Sequence, residues 1–113
     1  MTEMNAAQES LRHWSAVAPA WETYRDRLFE NVRSASERLV ELVDPQPAQT
    51  LLELTAGPGE TGFLAAARLG PTGRLISSDF VPAMVEAARR GATRRGLENV
   101  ECRVLDAQQI GSA

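Results

Sequence analysis

The chain has 113 residues, 43% of them apolar and 24% charged, and carries a net charge of −3, so it holds one domain at most and has no basic footprint for nucleic acid or an anionic membrane surface. Its single cysteine, Cys102, cannot form an internal disulfide, which makes a reducing compartment the default. The polar N-terminus lacks a signal-peptide core and no stretch approaches the roughly 20 apolar residues of a membrane span, so the sequence predicts a cytoplasmic chain.

In chain order, residues 1–19 read as a flexible N-terminal segment. It is polar to about residue 12, and Trp14 and Trp21 then flank Pro19, which predicts a broken lead-in to the first helix. Residues 20–113 read as the folded domain. A long helix is predicted over 20–43, where Leu28, Val32, Ala35, Leu39 and Leu42 recur at steps of three and four. Phe29, Ser36, Val40 and Val43 widen that stripe. Asp44-Pro45-Gln46-Pro47 stops it, because proline cannot continue a helix and disfavours helical geometry in the residue before it.

A β-α-β-α-β run over 50–107 follows. Leu51, Leu52 and Leu54 form the first strand, with Glu53 among them. A glycine-rich turn leads into a helix through Phe63–Leu69, ended by Gly70-Pro71. Arg74–Ser78 is the second strand, ending at Asp79. Pro82 suits the first turn of the next helix, which ends near Gly91 or Gly96. Asn99–Leu105 is the third strand, ending at Asp106. The order predicts an α/β fold, a helix followed by a three-stranded parallel sheet with right-handed crossovers.

Ligands of open parallel sheets bind beyond the carboxyl ends of the strands. Three acids stand at or near such ends: Glu53, Asp79 and Asp106. The glycines at 57, 59 and 62 let backbone approach a ligand closely, and the following helix offers free N–H groups to an anion. Asp79 lies 22 residues after Gly57, near the offset at which an acid meets ribose hydroxyls, and a carboxylate accepts from both at once. Glu53, at the end of a strand that is otherwise apolar, needs a polar partner, either a ligand group or an arginine of the long helix. Asp79 has a second reading, as a cap for the helix that begins at Pro82.

These residues resemble the class I S-adenosylmethionine-dependent methyltransferases. E-L-T-A-G-P-G looks like their first motif, G-R-L-I-S-S-D-F-V-P-A-M their second, and V-E-C-R-V-L-D-A their third strand. The stretch W-S-A-V-A-P-A-W-E-T-Y before a long helix is similar to the ubiquinone/menaquinone-biosynthesis type subgroup. The resemblance implies a Rossmann-like half-domain that binds S-adenosyl-L-methionine and serves a small-molecule methyl acceptor. It implies that Gly57 and Gly59 face the methionine part and that Glu53 lies near its amino group or ribose. Asp79 would hold the ribose hydroxyls, with Phe80 and Met84 against the adenine. Asp106 would accept from the adenine amine and the Ala107 N–H would donate to a ring nitrogen.

Thr55 departs from the pattern, standing where the first glycine is expected; a β-branched residue resists positive φ, so the turn is expected to differ there. A complete domain of this family continues with a fourth strand and the substrate-facing residues, so the chain reads as the cofactor half, and no catalytic residue is assignable. The family's strand order leaves Leu51–Leu54 on an open edge, which predicts a homodimer or domain-swapped assembly through that edge. Two other functions stay open: a non-catalytic binding or structural module, and a fragment of an NAD-type oxidoreductase.

The remaining candidates have plainer readings. His13 has no metal partners nearby in sequence, and no metal site is expected. Trp14, Trp21 and Tyr24 read as a packing cluster, with Tyr24 alternatively closing a ligand pocket. Cys102 reads as a small core residue, and Arg89, Arg90, Arg94 and Arg95 as a solvated face.

Overall fold

The computed structural model describes residues 4–112, and its first element is already a departure from the sequence reading. Helix α1 runs over Ala6–Thr23, through residues expected to be flexible and across Pro19. A capping box starts it. The Asn5 side chain accepts from the Gln8 N–H at 2.8 Å, and the Gln8 side chain accepts from the Asn5 N–H at 3.0 Å. Two otherwise unpaired donors are thereby satisfied, which suffices to nucleate the first turn.

The helix predicted over 20–43 is divided among the end of α1, α2 (Arg25–Glu30) and α3 (Arg33–Val43). Between α2 and α3 the Asn31 and Val32 N–H groups bond the carbonyls of Leu28 and Phe29, three residues back, which tightens the turn and ends the α-helical ladder. The face that is buried is the flank of the predicted stripe rather than its centre. Phe29, Ser36 and Val40 are buried, whereas Val32, Leu39, Leu42 and Val43 are exposed. Asp44, in left-handed geometry, then terminates α3 ahead of Pro45.

Strands β1 (Thr50–Glu53), β2 (Arg74–Asp79) and β3 (Val100–Val104) form a parallel sheet in the order β1-β2-β3. Helix α4 (Glu60–Leu69) joins β1 to β2, and α5 (Pro82–Arg94) joins β2 to β3. Gly91, one expected stop, lies inside α5, and the chain turns instead at Gly96. A short 3-10 helix, Ala107–Ser112, follows β3.

Register places Leu51 beside Leu75 and Leu75 beside Val100. These three meet Ala66 and Leu69 of α4 in one cluster. Leu69 and Leu75 are completely enclosed, each contributing roughly 1.5–3 kcal/mol by burial. Side chains alternate along a strand, so Leu52 and Ile76 point to the opposite face, where Leu52 is 48% exposed. A second cluster, Ala18 with Val81 and Met84, fixes α1 onto the start of α5. Helices α4 and α5 thus cover one sheet face, and α1 lies across α5 near the carboxyl ends of the strands.

Candidate functional site

The loop between β1 and α4 takes three residues into positive φ: Thr55 at 53°, Gly57 at 58° and Gly59 at 93°. The expected deviation at Thr55 does not occur. Its backbone adopts the left-handed conformation, and its hydroxyl donates to the Leu54 carbonyl at 2.7 Å. Such a conformation costs a non-glycine residue about 1–2 kcal/mol, so the loop holds local strain.

Asp79, at the end of β2, holds that loop in place. Its Oδ2 accepts from the Gly57 N–H and its Oδ1 from the Val81 N–H, each at 2.9 Å. The two roles proposed from sequence meet here in a third: one carboxylate ties the glycine turn to the start of α5. A second lone pair on each oxygen remains for further donors.

Around this junction lies a cavity of about 450 Å³, within the size range of small-molecule sites. Thr55, Gly57 and Asp79 form its polar side, and Phe80, Val81 and Met84 an apolar side. A Cβ built on Gly57 meets no atom within 4 Å, so open space faces the loop backbone at that point. Trp14 and Trp21 of α1, packed edge to face at 6.0 Å, close the cavity opposite the loop. From sequence they read as packing residues. Their spacing of seven, two helical turns, is the signal that sets both on one helix face.

Five expected site residues stand elsewhere. Gly59 is buried behind the loop as the residue before α4, and a Cβ there would come within 2.8 Å of the Phe63 ring. Glu53 turns inward, to a small cavity of about 170 Å³ between β1, α3 and α4. A Cβ on Gly62 would overlap its Oε1, an atom that is buried without a partner. Burial pushes the Glu53 carboxyl up to about 7, opposed by a hydrogen bond from the Gly62 backbone and reinforced by the negative charge of Asp79. Asp106 accepts from the Gln108 N–H at 2.9 Å at the end of β3, and neither it nor Ala107 lines the 450 Å³ cavity. Tyr24 is 56% exposed and lines no part of it.

Arginine placement also differs from expectation. No arginine pairs with Glu53 among the described residues; Arg25, at the start of α2, reaches Glu60 instead, at 3.1 Å. Arg25 is only 4% exposed and donates as well to the Pro58 carbonyl at 3.4 Å and the Ala87 carbonyl at 2.7 Å. It therefore links α2 to the glycine loop, α4 and α5. Gly91 leaves the room for it, since a Cβ there would overlap Arg25 Nη1. Arg95 also bonds Glu60 and lies over the Phe63 ring.

Arg90 holds Glu22 through two bonds of 2.7 Å, joining α5 to α1, and this hydrogen bonding holds the Glu22 carboxyl below the usual range. The arginines expected to form a solvated face are thus in part structural ties. Cys102 is half-buried, and burial raises its thiol pKa. No cluster able to hold a metal ion and no helix long and apolar enough to cross a membrane occur among the described residues.

Comparison with known proteins bears on the same segment. A family model described as a methyltransferase domain matches residues 45–113. Aklanonic acid methyltransferase of Streptomyces sp. strain C5 is 38% identical over 87 residues, covering 76% of this chain and 40% of that protein. Nocamycin O-methyltransferase of Saccharothrix syringae is 40% identical over 77 residues, covering 68% of this chain and 28% of that protein. A solved SAM-dependent methyltransferase from Aquifex aeolicus superposes with a TM-score of 0.58 at 22% identity, over 63% of this chain and 38% of its own, a likeness of fold. The chain therefore spans less than half the length of these relatives.

Proposed function

The chain belongs to the methyltransferase-domain family, and from that premise we propose that its 450 Å³ cavity binds S-adenosyl-L-methionine for methyl transfer to a small-molecule acceptor. The observation that carries this reading is the Asp79 carboxylate bonded to Gly57 at the cavity wall. It sets a glycine backbone, a carboxylate with free lone pairs and an apolar wall around one space, and that combination fits a nucleoside with a charged tail.

In this reading Thr55 and Gly57 border the methionine part and Asp79 accepts from the ribose. Phe80 and Met84 lie against the base, while Trp14 and Trp21 exclude water from above. Glu53 lies behind the loop, against Gly62 of α4. Asp106 and Ala107 border the base only if the segment after β3 moves toward the cavity. Bound S-adenosylmethionine supplies an electrophilic methyl group on sulfur, and the chain's own residues supply binding, orientation and desolvation.

Ultraviolet photolabelling with methyl-tritiated S-adenosylmethionine tests the assignment. Label on the chain that S-adenosylhomocysteine suppresses and NAD does not is the expected result. Suppression by NAD alone would favour an oxidoreductase.

The same proposal includes a cytoplasmic setting, supported by the single cysteine, and self-association through β1. Among the described residues that strand pairs with β2 alone, and exposed Leu39, Leu42, Val43, Leu52 and Leu54 lie on or near its other edge. Light scattering on a gel-filtered sample is expected to give the dimer mass; a monodisperse monomer would count against this part.

A further inference from the structure

A second cavity, of about 310 Å³, adjoins the first. Trp21, Ala56 and Pro58 belong to the walls of both. Leu28, Phe29 and Val32 supply its far side, so most of the lining is apolar. Val32 is 49% exposed and Trp21 38%, a large apolar surface for side chains on the edge of a concave space.

One wall is different. Arg25 lines this cavity while being 4% exposed. Its terminal nitrogens are taken by Pro58, Glu60 and Ala87, but its Nε–H is buried without an acceptor. A buried donor left unpaired is costly, and a charged one more so. Glu60, also in the wall, is shared between Arg25 and Arg95, and Glu22 approaches Arg25 from the other side at 3.6 Å, so the Nε–H is the one donor of this guanidinium left without an acceptor. Asn31 adds an amide at the rim.

We propose that this second cavity is a separate binding site for a flat, largely apolar molecule bearing an anionic oxygen, and that its occupant is the methyl acceptor. The apolar walls hold the ring system, and the arginine end selects the oxygen. The acceptor role rests on the methyltransferase reading above; the site and its ligand class do not.

The probe is 2-naphthoate, titrated into the full chain by calorimetry with and without saturating S-adenosylhomocysteine. One naphthoate is expected to bind per chain, with an affinity that S-adenosylhomocysteine changes by no more than about twofold. The matched cation, 2-naphthylmethylammonium, is expected to bind at least about tenfold more weakly. Val32→Trp, in the exposed turn after α2, fills the cavity and is expected to weaken naphthoate by more than about tenfold while leaving S-adenosylhomocysteine affinity unchanged.

Competition between naphthoate and S-adenosylhomocysteine would overturn the proposal, as would equal binding of the cation or indifference to Val32→Trp. Naphthoate binding that is sensitive to Val32→Trp, in a chain that binds no S-adenosylhomocysteine, supports the site and counts against the methyltransferase reading instead.

Discussion

The Asp79 carboxylate accepts the Gly57 N–H at 2.9 Å, across 22 residues of sequence, and accepts the Val81 N–H with its other oxygen. One side chain thus joins the turn after β1 to the helix after β2. Asp79→Ala removes both bonds and frees two N–H groups in a half-buried loop. Bonds to charged acceptors are worth about 1.5–3 kcal/mol each, so a stability loss on the order of 3 kcal/mol is expected in urea unfolding. Asp79→Asn, which retains one acceptor oxygen, is expected to lose about half as much.

Glu53 gives the chain a pH signature. Its carboxyl has a folded pKa of about 7 against an ordinary 4.5, so the folded state keeps a proton that the unfolded state has already released. Below the unfolded value both states are protonated and nothing is lost. Between the two values stability falls as pH rises, by on the order of 1–3 kcal/mol in total. Glu53→Gln keeps the size of the side chain without the titrating group and is expected to flatten that slope, so that the variant is the more stable protein at pH 8. Urea unfolding of both chains across this range measures it; a wild-type stability that rises with pH would refute the account of Glu53.

Thr55 stands in left-handed geometry at φ 53°. Thr55→Gly relieves a cost of about 1–2 kcal/mol while adding chain entropy to the unfolded state, for a net gain near 1 kcal/mol. A shift of the urea midpoint upward is the expected sign. A downward shift would mean that the bond from the threonine hydroxyl to Leu54 outweighs the strain.

Arg25 and Gly91 form a coupled pair, since a side chain at 91 would occupy the space of the guanidinium. Gly91→Ala is expected to cost about 1–3 kcal/mol despite the higher helix propensity of alanine. In Arg25→Met the same change is expected to cost less, giving a coupling energy above about 0.5 kcal/mol in a double-mutant cycle. Additive effects would place Gly91 and Arg25 out of contact.

How much of this was legible depends on the kind of signal. The β1-loop-α4-β2 unit could be read because glycine, proline and apolar runs act locally. Asp79 stood out because it ends a strand at a recognisable offset. Helix α1 starts in a stretch whose polar composition predicts a flexible segment, because composition does not register the reciprocal Asn5–Gln8 bonds that start it, and it runs on through Pro19. Of the apolar stripe read from periodicity, its flank (Phe29, Ser36 and Val40) is buried and much of its centre is exposed, because spacing marks a face of the helix but not which part of that face the neighbouring elements cover. The direction of Glu53 and the partner of Arg25 depend on which helix lies across which strand. Several arginines and acids offer equivalent pairings in the sequence, and only packing selects among them.

The cavity beside Gly57 and Asp79 is proposed to bind S-adenosylmethionine. Calorimetric titration of the chain with S-adenosylhomocysteine, with NAD in parallel, tests it most directly. One S-adenosylhomocysteine per chain is expected, with a dissociation constant below about 100 μM, at least about tenfold weakening in Asp79→Ala, and no heat with NAD. NAD binding without S-adenosylhomocysteine binding, or binding of neither by a folded chain, would contradict it.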